Sequence, residues 1–236
     1  MNRMKFLNTE VDNLSMEEAI DRIEELIENK NPSYVVTPNV DHIVKLEEDK
    51  EFQKVYKNAD LILTDGMPLI WISKLKKQSI KEKVSGSDLF PKVCEMAAKK
   101  GYKIFLLGAA EGIAAKAAEN LERKYKGLDI VGTYSPSYGF EENNQEIIKI
   151  VEIVNNSKPD ILAVGLGAPK QEKFIYKYKD RLNVPISLAI GASIDFEAGN
   201  VNRAPKWMQK SGLEWFYRLC KEPKRMFKRY LVDDLK

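Results

Sequence analysis

The chain has 236 residues, 44% apolar and 31% charged, with a formal net charge of +3; it can bury one sizeable core, is too short for two full nucleotide-binding domains, and is unlike a disordered chain. No run approaches the roughly 20 apolar residues of a membrane span, and the opening MNRMKFLNTEVDNLS lacks the core and cleavage site of a secretory leader, so a cytoplasmic protein is expected. Cys94 and Cys220 belong to no CxxC or Cys/His cluster, which argues against a disulfide framework or a structural zinc.

In chain order, Asn13, Ser15 and Glu17/Glu18 mark the start of a helix near 16–29. Short β-branched runs then alternate with helical patterns. The strand candidates are 33–37, 60–64, 103–108, 128–134, 160–167 and 186–192, with helices predicted near 40–57, 86–100, 111–126, 141–156 and 169–180. The strands read as apolar without clean alternation, as strands covered on both faces do. The fold class is therefore α/β, with a mostly parallel sheet flanked by helices over residues 1–200. Beyond Gly199 the composition changes. Residues 201–236 carry ten Lys/Arg and four Asp/Glu, net +6, leaving 1–200 at −3. Pro205 and Pro223 each suit a first helical turn, so two helices are predicted, near 206–220 and 223–235. On the first, Met208, Trp215, Phe216 and Leu219 share a face opposite Lys206, Lys210, Arg218 and Lys221.

In parallel sheets ligands sit at the carboxyl ends of strands, and the informative residues fall there. Asp65, at the end of an apolar strand and just before Gly66, is placed to act as a general base or to cap the helix that Pro68 starts. Asp195 poses the same choice, with ribose or base recognition as its functional option. Thr37 and Asn39 flank Pro38 as ligand contacts or as turn chemistry. GLGAPKQE lacks the third glycine of a dinucleotide fingerprint; its turn fits a phosphate or sugar-hydroxyl site reached by Lys170 or Gln171, or simply a tight connection. His42, the only histidine, reads as a helix N-terminal residue rather than a catalyst, and no G-x-S-x-G elbow is present. Neither an H-x-x-x-H pair nor a D-x-D triplet occurs, so no metal site and no cofactor is expected, and a departing diphosphate would be met by Lys/Arg and helix N-termini.

The basic, aromatic tail admits a solvated pair of helices, a nucleic-acid arm or a membrane-contacting surface. A net acidic body without a nucleic-acid-binding motif disfavours nucleic acid, and aromatic residues opposite Lys/Arg favour the membrane interface. A tail covering a neighbour's apolar surface leaves a homodimer open.

In order, Thr37-Pro38-Asn39 with Asp41-His42, Asp65-Gly66-Met67-Pro68, Val84 to Leu89, Gly165 to Glu172, Gly191-Ala192 with Asp195-Phe196 and Gly199, and Arg203-Ala204-Pro205 with Gly212 to Trp215, Tyr217 to Leu219, Glu222-Pro223 and Arg229-Tyr230 together resemble the bacterial WecG/TagA/CpsF glycosyltransferases. Lys83 and Lys228 stand where that family commonly has arginine. The resemblance implies a single Rossmann-like domain with a C-terminal appendage; the aromatic and basic residues of 201–236 add the expectation that this helical appendage contacts the membrane and completes the active site there. The resemblance further implies an inverting, metal-independent enzyme at the inner face of the plasma membrane. The expected reaction moves N-acetylmannosamine from UDP-ManNAc to GlcNAc-diphospho-undecaprenol, for wall teichoic acid. The alternatives are UDP-ManNAc uronic acid or a capsule sugar as donor, or a non-catalytic scaffold. By the same resemblance Asp65 is the base, Thr37, Asn39 and Gln171 lie near the sugar, and Asp195 lies near the nucleotide. Lys83 takes a phosphate role there, and Arg218 and Arg225 close over the diphosphate.

Overall fold

The computed structural model of the chain describes residues 3–77 and 79–221. Its elements are a hairpin, β1 (Arg3–Phe6) and β2 (Thr9–Asp12), then α1 (Met16–Glu28), β3 (Ser33–Val36), α2 (Val40–Glu48), α3 (Lys50–Lys57), β4 (Leu61–Ile62), α4 (Met67–Leu75), α5 (Gly86–Lys100), β5 (Lys103–Gly108) and α6 (Ile113–Lys124). They continue with β6 (Asp129–Tyr134), a 3-10 turn (Phe140–Glu142), α7 (Asn144–Ser157), β7 (Ile161–Gly165), α8 (Lys170–Leu182), β8 (Ile186–Ala189), α9 (Ser193–Glu197), α10 (Lys206–Lys210) and α11 (Glu214–Lys221).

Six strands form one sheet in the order β4-β3-β8-β7-β5-β6, and every pairing in it is parallel. Period-2 geometry splits each strand between two cores. Tyr34, Val36, Phe105, Leu107, Leu162 and Val164 face one, while Val35, Ile104, Leu106, Ile161, Ala163 and Leu188 face the other. With both faces apolar, no alternation of polar and apolar residues could appear in the sequence. All six strand candidates are present, each within a few residues of its expected ends.

The short α9 was not predicted, and three further local features differ from expectation. The helix predicted over 40–57 is two helices, because Asp49 adopts an extended conformation and its carboxylate caps α3 by accepting from the Phe52 N–H at 2.9 Å. The β1/β2 hairpin was not predicted. It covers the short β4 edge of the sheet, where the buried Asp12 carboxylate accepts from the Ile62 N–H at 2.9 Å and pairs with Arg3 at 2.9 Å.

The third difference is the helix predicted over 206–220, which is broken into α10 and α11. Gly212 lies in the left-handed region (φ +74°), with its N–H directed at the Gln209 carbonyl and the Leu213 N–H at the Met208 carbonyl, the paired bonds of a Schellman ending. The continuous amphipathic face from Met208 to Leu219 is therefore not formed. The helix predicted over 223–235 lies outside the described residues.

Candidate active site

All six strands of the sheet end on the same edge, and the site is built there. The chain leaves β4 still paired with its neighbour: the Leu63 N–H donates to the Val36 carbonyl at 2.9 Å and the Asp65 N–H to the Pro38 carbonyl at 2.8 Å. Asp65 is thereby held beside Asn39. The N-cap of α4 is Gly66 (φ 102°), and no side chain caps that helix, so of the two roles open to Asp65, capping is not the one taken. Its side chain instead lines two adjoining cavities.

The first cavity, of about 270 Å³, lies over the tips of β3, β7 and β8 and is lined by Thr37, Asn39, Asp65, Gln171, Gly191 and Phe196, among others. Its floor is backbone packed too tightly for side chains: a Cβ on Gly165 would lie 2.8 Å from the Gly191 carbonyl oxygen. The buried Gln171 ties the two loops together, its side-chain oxygen accepting from the Gly167 N–H at 3.2 Å and the Gly191 N–H at 3.1 Å.

The second cavity, of about 440 Å³, shares Asn39, Asp65 and Ser87 with the first. Lys83, Gly66, Met67 and Pro68 wall one side of it, and Gln209, Gly212, Glu214 and Trp215 from the C-terminal appendage wall the other. Gly212 is needed for this fit as well as for its turn, since a Cβ there would lie 2.8 Å from both the Met67 Cβ and the Trp71 ring. The appendage is anchored through Asp88. One Asp88 oxygen pairs with Lys83 at 2.8 Å and the other with Arg203 at 2.9 Å, and the Ser85 hydroxyl donates to the carboxylate at 2.6 Å. Burial alone would push the Asp88 carboxyl up, but the Lys83 and Ser85 hydrogen bonds and the charges of Lys83 and Arg203 outweigh it and hold it below the usual carboxylate range.

Arg203 also donates to the Ser87 carbonyl at 3.1 Å. That carbonyl is available because its helical partner four residues on is Pro91, which has no N–H. A proline inside α5 thus frees an acceptor for the first arginine of the appendage.

Thr37, Asn39, Asp65, Gln171 and Lys83 are therefore brought together. Asp195 is not among the residues lining either cavity; its carboxylate accepts from the Asn200 amide at 3.0 Å. Arg218 is carried on α11, and Arg225 and Lys228 lie outside the described residues. Among the described residues no three His, Cys, Asp or Glu side chains gather into a group that could hold a metal ion.

Sequence reasoning passed over Glu172 and gave His42 only a place in a helix. Glu172 is 0% exposed and His42 5%, and His42 Nε2 lies 3.3 Å from Glu172 Oε1. The Tyr56 hydroxyl is buried nearby; burial raises its pKa well above the ordinary value, and the carboxylates of Glu172, Asp65 and Asp41 add to that. The only signals for the pair in the sequence are a lone histidine and a glutamate beside Gln171, 130 residues apart.

Large apolar side chains are exposed on the two elements that wall the second cavity and beside them; Trp215 lines the cavity itself and Trp71 lies against Gly212. Trp71 and Leu75 of α4 are 45% and 85% exposed, and Trp207, Trp215 and Phe216 of the appendage 64%, 45% and 47%. Among the described residues no helix is long and apolar enough to cross a membrane.

Residues 4–236 match the family described as "Glycosyl transferase WecG/TagA/CpsF family". The chain is 32% identical over 200 residues to a Bacillus spizizenii N-acetylglucosaminyldiphosphoundecaprenol N-acetyl-beta-D-mannosaminyltransferase, covering 85% of this chain and 75% of the relative. It is 32% identical over 220 residues to the Bacillus subtilis protein of the same name, covering 93% and 83%. Against the Staphylococcus aureus (strain MRSA252) protein of that name it is 26% identical over 227 residues, covering 95% and 87%.

Proposed function

This chain belongs to the WecG/TagA/CpsF glycosyltransferase family, and from that premise we propose how it performs the reaction for which its relatives are named. It transfers N-acetylmannosamine from UDP-ManNAc to GlcNAc-diphospho-undecaprenol, making the β-linked disaccharide lipid of the wall teichoic acid linkage unit. The observation that carries the reading is the place of Asp65, at the junction of a cleft over the strand tips and a cavity walled by the appendage. The first receives the sugar nucleotide, with Thr37, Asn39 and Gln171 about the sugar and Asp195 toward the nucleotide. The second receives the acceptor sugar.

In a single displacement with inversion, the acceptor hydroxyl attacks the anomeric carbon as its proton passes to the Asp65 carboxylate. The bond from that carbon to the diphosphate breaks, and UDP leaves with the electron pair. One base on the acceptor side and positive charge on the leaving-group side are what this chemistry needs. Lys83 at the cavity wall, together with Arg218 and Arg225 of the appendage, supplies that charge. Lys83 is paired with Asp88 at 2.8 Å, so for Lys83 the phosphate role requires exchange of one anion for another.

The enzyme works at the cytoplasmic membrane face as a peripheral protein. Its acceptor is lipid-linked, and the exposed Trp71, Leu75, Trp207, Trp215 and Phe216 are carried on α4 and on the appendage, the elements that wall the cavity that would take that acceptor. No element of the reading calls on a second copy of the chain or on nucleic acid.

The test is to mix the protein with UDP-ManNAc and a short-chain GlcNAc-diphospholipid and look for the disaccharide lipid. No product under any lipid or detergent condition, from protein that binds UDP, would overturn the reading.

A further inference from the structure

At the donor-side cleft, Asn39, His42 and Gln171, which line it, form a chain of contacts with the fully buried Glu172, and His42 and Glu172 have no part in the transfer chemistry given above. Asn39 caps α2: its Oδ1 accepts from the His42 N–H at 3.3 Å and lies 2.8 Å from His42 Nδ1. The other ring nitrogen, Nε2, lies 3.3 Å from Glu172 Oε1, which also accepts from Gln171 Nε2 at 2.7 Å. Gln171 Oε1 in turn accepts from the N–H groups of Gly167 and Gly191. The run therefore joins the tips of β3, β7 and β8 through the first turns of α2 and α8.

The partners fix how each group is turned. Gln171 faces two backbone donors, so the atom between them is its oxygen, and its NH2 is the end that meets Glu172. Asn39 faces the His42 main-chain donor, so its cap atom is likewise oxygen, and the Asn39 main-chain N–H in turn donates to His42 Nδ1 at 3.4 Å, closing a reciprocal cap. This leaves the Asn39 NH2 as the part of that side chain available to the cavities Asn39 lines. Without the imidazole, the Asn39 amide would keep only the main-chain contact and could turn over.

The pair is an expensive way to fill space. Glu172 is fully buried, and its second oxygen, Oε2, has no hydrogen-bond partner among the described residues. A buried ion or hydrogen-bonded pair contributes little to stability compared with apolar residues of similar volume, and an orphaned buried oxygen calls for a reason beyond packing. The Pro38 carbonyl, which holds the Asp65 backbone, sits one residue before Asn39. A group that fixes Asn39 is thus next to the catalytic base as well as in the donor cleft.

We propose that the His42–Glu172 pair is a positioning device that holds the Asn39 amide, NH2 toward the substrate, in register with Asp65. Glu172 lines neither cavity, whereas His42 stands beside Asn39 in the wall of the donor cleft; the pair acts through Asn39. The proposal rests on the glycosyltransferase reading and goes beyond it by assigning work to His42 in the cleft wall and to Glu172 buried behind it.

The test uses the full chain, with kcat, both KM values and Tm measured together. Glu172→Leu removes the pair while conserving volume. It is expected to lower kcat by about 30-fold or more, with each KM within about threefold of the unsubstituted chain, and to lower Tm because His42 Nε2 and Gln171 Nε2 lose a buried partner. Glu172→Gln keeps an oxygen for Gln171 and an amide for Nε2, and is expected to recover most of that loss. In an Asn39→Ala background, Glu172→Leu is expected to cost less than about threefold more, because the residue it acts through is already gone. A Glu172→Leu enzyme with kcat within about threefold of the unsubstituted chain would overturn the proposal. So would a full loss persisting in the Asn39→Ala background, and that comparison decides the matter even where Glu172→Leu lowers Tm. The unsubstituted chain separates the two readings: its failure to make disaccharide contradicts the transferase function, whereas turnover indifferent to Glu172 contradicts the positioning role alone.

Discussion

The two cavities that meet at Asp65 are built by different means. The donor-side cleft is made of strand tips, a backbone too close-packed for side chains at Gly165, and buried polar ties from Gln171 to two loops. The cavity beyond it is half borrowed: its outer wall is the appendage, held on by Arg203, by the Asp88 anchor and by the seat of Gly212 against Met67 and Trp71. A wall that belongs to the core is set when the sheet folds. A wall that is docked onto the core can be displaced without unfolding it. The difference suits a reaction whose donor diffuses in water and whose acceptor is anchored in lipid, and it separates what substitutions in each region should do.

The largest effect is expected where the regions join. Asp65→Asn keeps size and removes the base; it should lower turnover by about a thousandfold while leaving UDP affinity, measured by calorimetry, within about twofold. Removing residues 201–236 takes away one wall and the basic tail together. Turnover should fall at least about a hundredfold, while circular dichroism and UDP binding report an intact core. Near-normal transfer by that truncation would show that the appendage is not part of the site.

Gly212→Val attacks the docking alone. The left-handed backbone costs a β-branched residue about 1–2 kcal/mol, and the new side chain meets Met67 and Trp71. The acceptor KM should rise about tenfold with the donor KM unchanged. A donor-side defect of equal size would erase the distinction between the cavities.

The smallest effect concerns the anchor. The Asp88 carboxyl is held below its ordinary value of 3.8, so it binds fewer protons folded than unfolded at acid pH. The stabilisation it provides is therefore present above that value and lost as pH falls through the depressed one. The Tm advantage of the unsubstituted chain over Asp88→Asn should be steady near neutrality and shrink below about pH 4. An advantage that grows on acidification would contradict the assignment of Asp88 as a paired carboxylate.

The core was more legible in the sequence than the appendage, for physical reasons. Strands such as Ile161–Gly165 and Lys103–Gly108 are continuous apolar runs because each side chain meets a core on one face or the other. Asp65 and Asn39 could be placed at strand tips because Gly and Pro beside them end the strands. The break at Gly212 was encoded by its glycine, but a periodic reading of Met208 and Trp215 ran across it. Capping, one of the two roles left open for Asp65, could be set aside only by seeing Gly66 take the cap position. The pairing of His42 with Glu172 spans 130 residues, and nothing in local spacing announces it. The Pro91 gap that receives Arg203 is readable as a missing donor, but not the arginine that fills its place.

The most direct test of the account is a crystal structure of the full chain with UDP and a short-chain GlcNAc-diphospholipid bound together. UDP should lie over the tips of β3, β7 and β8, and a carboxylate oxygen of Asp65 should stand about 2.6–3.2 Å from an acceptor hydroxyl in the cavity beneath the appendage. An acceptor sugar bound elsewhere, or a hydroxyl out of hydrogen-bond reach of Asp65 with both ligands in place, would contradict it.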